Sequence, residues 1–345
     1  MANRFLIAVA ALVVAMPQLA FARDQLRIVG SSTMFPFVAA AAEQFGYDGT
    51  FRTPIVEATG TGGGIKSFCA GVGEHYPDMV NASRTMKDSE REQCAKHGVV
   101  GLTELKLGYD GIVLANAVSS PSFSLSRRVL FLALARDVPV GGKLVVNPYQ
   151  RWREIDPALP DLPIRVYGRP PSSGTRDAFS ELVMIEGCKQ LPAMQALIPD
   201  SEKRKHQCMT MREDGHYIEA GDDNNLIVQK LVNNPESLGL FGYSFLESNA
   251  AQVKANPVDG VMPSYESIVS GAYPVARSLF VYVKNAHLAT TPGLADFAQE
   301  LVCDAAVGED GYLVMKGLLP PKETERQEVQ RTAAGLSVVS SRLPD

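Results

Sequence analysis

The chain has 345 residues, 46% of them apolar and 21% charged, with a formal net charge of −5. These are ordinary proportions for a globular protein with a true core. A mildly acidic balance argues against nucleic acid as a partner, but not against a small anion, because local donors outweigh net charge at an enclosed site.

Met1–Arg4 is a short positive start, Phe5–Met16 an uncharged apolar run, and Ala20-Phe21-Ala22 ends it with small residues where a signal peptidase reads. Residues 1–22 are predicted to be a secretory signal peptide cleaved between Ala22 and Arg23. The apolar run is shorter than the ~20 residues of a membrane span, and no later stretch replaces it. Removal leaves 323 residues (345 less 22) at net charge −6, since only Arg4 is lost. That is length for about two domains at ~100–200 residues each.

Secretion makes disulfides plausible for Cys69, Cys94, Cys188, Cys208 and Cys303. The pairs Cys69–Cys94 and Cys188–Cys208 are each close in sequence and are predicted to bond, leaving Cys303 free; loops of this size stabilise by about 3 kcal/mol. Cys94-Ala-Lys-His97 and Cys208…His216 lack the second CxxC or HxxxH that would complete a zinc set, so neither metal nor cofactor is expected.

In chain order, Leu26–Val29 reads as a buried strand leading into Ser31-Ser32-Thr33. Met34–Phe45 follows as an Ala-rich helix with Pro36 in its first turn, where proline is tolerated. Thr53–Ala58 is a second strand, leading through Thr59–Gly64 to a short helix, Ile65–Ala70. Met79–Ala82 is a third, followed by Ser83-Arg84-Thr85 and a helix over Asp88–His97 capped by Asp88 and stopped by Gly98. Gly108–Ala115 is a strand without such a sequel. Ile164–Tyr167 leads through Gly168–Gly174 to a helix over Thr175–Met184. Glu186–Gly215 reads as a polar insertion, Asn224–Val232 as a helix, Val275–Lys284 as a strong strand, and Pro320–Ala334 as a charged C-terminal helix. Strand, polar loop and helix in repetition predict parallel α/β architecture. Gly108–Ala115 and Val275–Lys284 are placed to carry the chain between two Rossmann-like lobes, one of residues 24–113 and 276–345, the other of 114–275, with a ligand cleft between them.

Four polar loops thus join a strand end to a helix start. In open α/β sheets the strand C-terminal ends face the ligand crevice, and each helix start presents unpaired N–H groups and a positive dipole end. Any one of these loops alone reads as an ordinary N-cap. Four in the same context describe one convergent anion site. A phosphate loop or dinucleotide fingerprint starting at Gly60 fails because position 65 is isoleucine. Arg169, four residues before Ser173, offers a fixed fork of donors. Arg84 is either a second fork or a partner of Asp78 or Glu57, and Arg176 and Asp177 pair with each other or with helix neighbours. There is no GxSxG, and no histidine lies near a candidate nucleophile in sequence, so no enzyme activity is predicted.

At these loops the chain resembles the periplasmic phosphate-binding proteins of Pst-type ABC importers, of type II periplasmic-binding-protein fold. The resemblance rests on Gly30–Thr33 with Pro36, Gly60–Gly64, Asn81–Arg84 and Ser173–Thr175, and on Tyr109-Asp110-Gly111, Phe241-Gly242-Tyr243 and Tyr273–Arg277. It implies a phosphate site between the lobes. Ser32, Thr33 and Met34 would come from the first loop, Thr61 and Gly62 from the second, and Ser83 and Arg84 from the third. Arg169, Ser173, Gly174, Thr175 and Asp177 would come from the other lobe. One position departs from the family pattern: the aspartate that accepts the phosphate proton is Arg84 here, and arginine accepts no hydrogen bond. Asp177, then Asp223, are the candidates for that role. The resemblance further implies a periplasmic monomer that delivers phosphate to inner-membrane ABC permease subunits. A binder of sulfate, molybdate or tungstate, and a secreted phosphatase, stay open as alternatives.

Overall fold

The computed structural model describes residues 25–340 except Asp48, Ser172 and Asp222; the predicted signal peptide lies outside the described residues. Three strand–helix units open the chain: β1 (Arg27–Gly30) and α1 (Phe35–Gly46), β2 (Ile55–Ala58) and α2 (Thr61–Phe68), β3 (Met79–Ala82) and α3 (Asp88–Lys96). β1 pairs in parallel with both β2 and β3, and the register sets Gly30 beside Ala58 and Asn81. The three strands therefore end level, and the loops that follow them emerge at one edge.

β4 (Leu102–Ala117) is the spine. After it come a separate hairpin, β5 (Asp137–Val140) with β6 (Lys143–Val146), then β7 (Val166–Gly168), β8 (Tyr217–Glu219), β9 (Leu238–Gly242), β10 (Val253–Ala255) and β11 (Ala276–Lys284). The main sheet runs β2-β1-β3-β11-β4-β9-β7-β8, with β10 also on β4. β11 pairs with β4 antiparallel from Lys284 against Leu102 to Ala276 against Gly111; beyond this β4 pairs with β9. The register slips between Leu279 and Phe280, a bulge of the kind that sharpens twist and re-aims side chains.

The cores follow from strand alternation. Ile28, Met79, Val281 and Val283 face one side of the first part of the sheet, against α1 and the helix Leu294–Glu300. Val29, Val80, Phe280 and Tyr282 face the other, with α2 and α3. A third cluster, drawn almost wholly from residues 109–275, packs around Trp152, Phe131, Phe179 and Phe241. Disulfides join Cys69 to Cys94 and Cys188 to Cys208, with Cys303 a free thiol.

Three local expectations need correction. α2 begins at Thr61, not Ile65, because the glycines form its first turn: a β-carbon on Gly64 would stand 2.5 Å from the Gly30 α-carbon, so helix and strand pack backbone to backbone. Lys87, not Asp88, holds the cap position of α3, and its N–H donates to the Glu90 carboxylate at 2.9 Å. The predicted helix after Gly174 is α-helical only to Phe179 and widens into a π-helix over Ser180–Ile185. The Glu186–Gly215 stretch is mostly helical and packs Cys188, Met194, Cys208 and Met211 into the third core.

Candidate functional site

The loop after β1 turns tightly: the Ser31 carbonyl accepts the N–H groups of Met34 and Phe35, both at 3.1 Å. The Met34 N–H therefore faces its own turn and its side chain lies in the core. Ser32 and Thr33 are left facing a cavity whose opposite wall is Arg169, Ser173, Gly174 and Thr175. The two walls touch. The Thr33 hydroxyl donates to the Gly174 carbonyl at 2.8 Å, and a β-carbon on residue 174 would lie 2.4 Å from the Thr33 α-carbon and 2.5 Å from the Ser32 oxygen.

Arg169 is brought in by the end of β7 and is 4% exposed. Its guanidinium donates to the Asn224 side-chain oxygen and, at 3.4 Å, to the Gly221 carbonyl. Its own carbonyl accepts from the Tyr217 hydroxyl at 2.8 Å and from Arg176 at 3.2 Å. Arg176 also lies over the Tyr217 ring, 4.3 Å from its centre, so it fixes the Arg169 backbone and does not pair with Asp177. Asp177 is half-buried one turn into the helix. Asp223 is exposed and caps the helix Asn224–Asn233 by accepting the Asn225 N–H at 2.8 Å.

The second and third loops bind each other. The Thr61 and Ser83 hydroxyls are 3.0 Å apart, and the Ser83 N–H donates to the Thr61 oxygen at 3.2 Å. Gly62 sits in the first turn of α2. Ser83 and Arg84 line a second cavity, beside Arg277 and Glu181. Arg84 pairs with neither Asp78 nor Glu57. Its two terminal nitrogens meet both oxygens of Glu90 at 2.8 and 2.7 Å, because α3 places Glu90 within reach of the loop. Asp78 instead accepts from His287 at 2.8 Å, and Glu57 pairs with Arg27 at 2.7 Å. Desolvation raises the Glu90 carboxyl, but hydrogen bonds from Arg84 and the Lys87 N–H overcome it and leave the group below the ordinary range.

Asp110 and Arg277 belong between these cavities. They are register partners on β4 and β11, with Arg277 Nε 3.6 Å from Asp110 Oδ2. The same guanidinium donates to the Thr33 hydroxyl and reaches Glu181 on the π-helix at 3.4 Å. Asp110 lines the first cavity and Arg277 the second. Burial raises the Asp110 carboxyl above its usual range, with Arg277 pulling it back; burial likewise draws Arg277 down. Sequence reasoning did not place either residue in the site. The available signal was a charge inside an otherwise apolar strand pattern, in GYDGIVLA and in VARSLFVYVK.

Among the described residues no cluster of His, Cys, Asp and Glu suits a metal ion, and no helix is long and apolar enough to cross a membrane.

A family model described as a PBP superfamily domain matches residues 16–305. Protein SphX of Synechococcus elongatus is 30% identical over 327 residues, covering 92% of this chain and 86% of that protein. The phosphate-binding protein PstS of Staphylococcus saprophyticus is 27% identical over 306 residues, covering 87% and 82%. A solved structure described as "a possible phosphate binding protein" from Planctomyces limnophilus superposes with a TM-score of 0.72 at 26% identity, covering 90% of this chain and 98% of that one.

Proposed function

The chain belongs to the PBP superfamily, the periplasmic binding proteins, and on that premise we propose that it captures inorganic phosphate between two lobes and delivers it to an ABC-type importer. The fold is the mixed α/β arrangement of type II binding proteins. The proposed lobes are residues 24–113 with 276–345, and 114–275; the separation of the third core from the first two supports that division. The observation that carries the reading is the cavity in which a buried arginine, Arg169, faces hydroxyl groups from both proposed lobes: Thr33 on one side, Ser173 and Thr175 on the other. A tetrahedral oxyanion needs many donors and few acceptors. Arginine supplies a planar fork, serine and threonine add O–H groups, and the helix starting at Gly174 adds N–H groups and a positive dipole end.

In this reading Ser32, Thr33, Arg169, Ser173, Gly174 and Thr175 hold the ion directly. Thr61 and Ser83 brace the neighbouring loops, and Arg84 is tied to Glu90 outside the ion's reach. The protein binds and releases; it acts in the periplasm after signal-peptide removal and needs no cofactor. The relatives that carry a functional name are named as binding proteins, not enzymes.

Calorimetry on phosphate-stripped protein tests the reading. The expected result is one phosphate per chain and an upward shift in melting temperature, since a ligand that binds only the native state stabilises it by mass action. No heat and no shift at millimolar phosphate would reject it.

A further inference from the structure

We propose that Arg277 is a positioning residue for anion capture: held off the ion itself, its guanidinium fixes the Thr33 hydroxyl so that the proton points across the cavity. This rests on the phosphate reading above.

Strand alternation puts Arg277 where it can do this. Leu279, Val281 and Val283 of β11 lie in the core packed against α1, and Arg277, two residues earlier, continues that face toward the loop that opens α1. Its side chain is 6% exposed, with Nε 3.6 Å from Asp110 and one terminal nitrogen 3.4 Å from Glu181. Two carboxylates therefore face one positive charge, and they hold the planar fork in place. The other terminal nitrogen donates to the Thr33 hydroxyl. Arg277 lines the cavity of Ser83, Arg84 and Glu181 and is absent from the wall shared by Thr33, Arg169 and Ser173. It thus reaches Thr33 from behind, away from the donors that face the ion.

The chemistry of the hydroxyl sets the direction. It has one proton to donate and two lone pairs to accept with. A guanidinium only donates, so Arg277 takes a lone pair and turns the proton away from itself. On the far side the Gly174 carbonyl accepts it at 2.8 Å, and an anion oxygen entering the cavity competes for the same proton. The β-branch of threonine restricts the side chain; Arg277 restricts the O–H, the torsion that branching leaves free. A donor already aimed has less freedom to lose on binding.

The experiment measures phosphate affinity by calorimetry for wild type, Arg277→Lys, Thr33→Val, the double variant and Thr33→Ser. Lysine keeps the charge but is a point donor that cannot serve Asp110, Glu181 and Thr33 together as the fork does. Arg277→Lys should lose about tenfold in affinity, and Thr33→Val, with no hydroxyl to aim, about tenfold or more. In the double variant the lysine should cost nothing further, within about twofold, because residues that act through one contact are not additive. Losses that multiply overturn the proposal, since Arg277 would then act on the ion directly or through the fold at large. An Arg277→Lys affinity equal to wild type overturns it too. If Arg277→Lys does not fold, Thr33→Ser decides, because serine lacks the β-branch and leaves Arg277 alone to hold the oxygen. Affinity within about threefold of wild type supports the proposal; a loss as large as that of Thr33→Val overturns it. Wild type that binds no phosphate overturns the reading beneath, and this inference with it, before any variant is titrated.

Discussion

Thr33 and Gly174 meet across one cavity, one hydroxyl donating to one carbonyl at 2.8 Å, with no room for a side chain between their backbones. Gly174→Ala would put a β-carbon 2.4 Å from the Thr33 α-carbon. Overpacking of this kind costs about 1–3 kcal/mol. The clash exists only while the walls touch. Phosphate affinity should therefore fall by about tenfold or more, at ~1.4 kcal/mol per decade, while the melting temperature of the ligand-free protein stays near wild type. Paired calorimetry and thermal melts read both. An unchanged affinity would mean that the two loops do not meet when phosphate is held.

Arg169→Ala removes the buried fork of the same cavity. A hydrogen bond to a charged group contributes about 1.5–3 kcal/mol, so affinity should drop by roughly tenfold or more. Arg128→Ala, on the exposed face of the helix Arg127–Leu134, is the comparison and should leave affinity unchanged. Equal effects from the two would show that Arg169 works through the fold alone.

Glu90 gives an acid-dependent signature. Its folded carboxyl lies below the ordinary value of ~4.3 because Arg84 and the Lys87 N–H outweigh desolvation. A depressed carboxyl contributes stability that is fully present above its unfolded pKa and is lost as pH falls through the folded pKa. Glu90→Gln should thus be less stable than wild type near neutrality, by less than about 1 kcal/mol because the pair is partly solvated. The two proteins should converge in acid. Urea titrations across pH check this, and a constant gap would assign the effect to packing.

One thiol per chain should react under denaturing, non-reducing conditions, and it should be Cys303. In the native protein its alkylation should be slow, since burial raises that thiol above its ordinary range and the thiolate is the reactive form. Reducing either bridge should cost about 3 kcal/mol in the chain-entropy account. Peptide mapping that finds Cys303 bonded, or a second reactive thiol, would refute the assignment.

Much of this was legible in local sequence. Strand, polar loop and helix recur with short spacing, so the loops at Ser32-Thr33, Thr61, Ser83 and Ser173–Thr175 could be read before any contact was known. The Asp110–Arg277 rung could not, because nothing near either residue announces a partner so far along the chain; only the antiparallel register of β4 and β11 makes it. The choice of Glu90 by Arg84 was also hidden. Glu57, Asp78 and Glu90 are equivalent as charges, and the turn from β3 into α3 alone selects among them. The early start of α2 escaped because glycine reads as a loop former, whereas here it permits a helix to lie directly on a strand.

The central place of β11 also bears on how the chain acquires its shape as it is made. β11 lies between β3 and β4, and its Phe280 and Tyr282 fill the same cluster as Cys69 and Cys94. The opening third of the polypeptide must therefore wait, incomplete, until residues 276–284 emerge, whereas the third core draws almost wholly on the segment that emerges in between. Such long-range closure is slow. The later-synthesised Cys188–Cys208 bridge should become protected before the earlier Cys69–Cys94 one, an order that timed thiol trapping during refolding would reveal or refute.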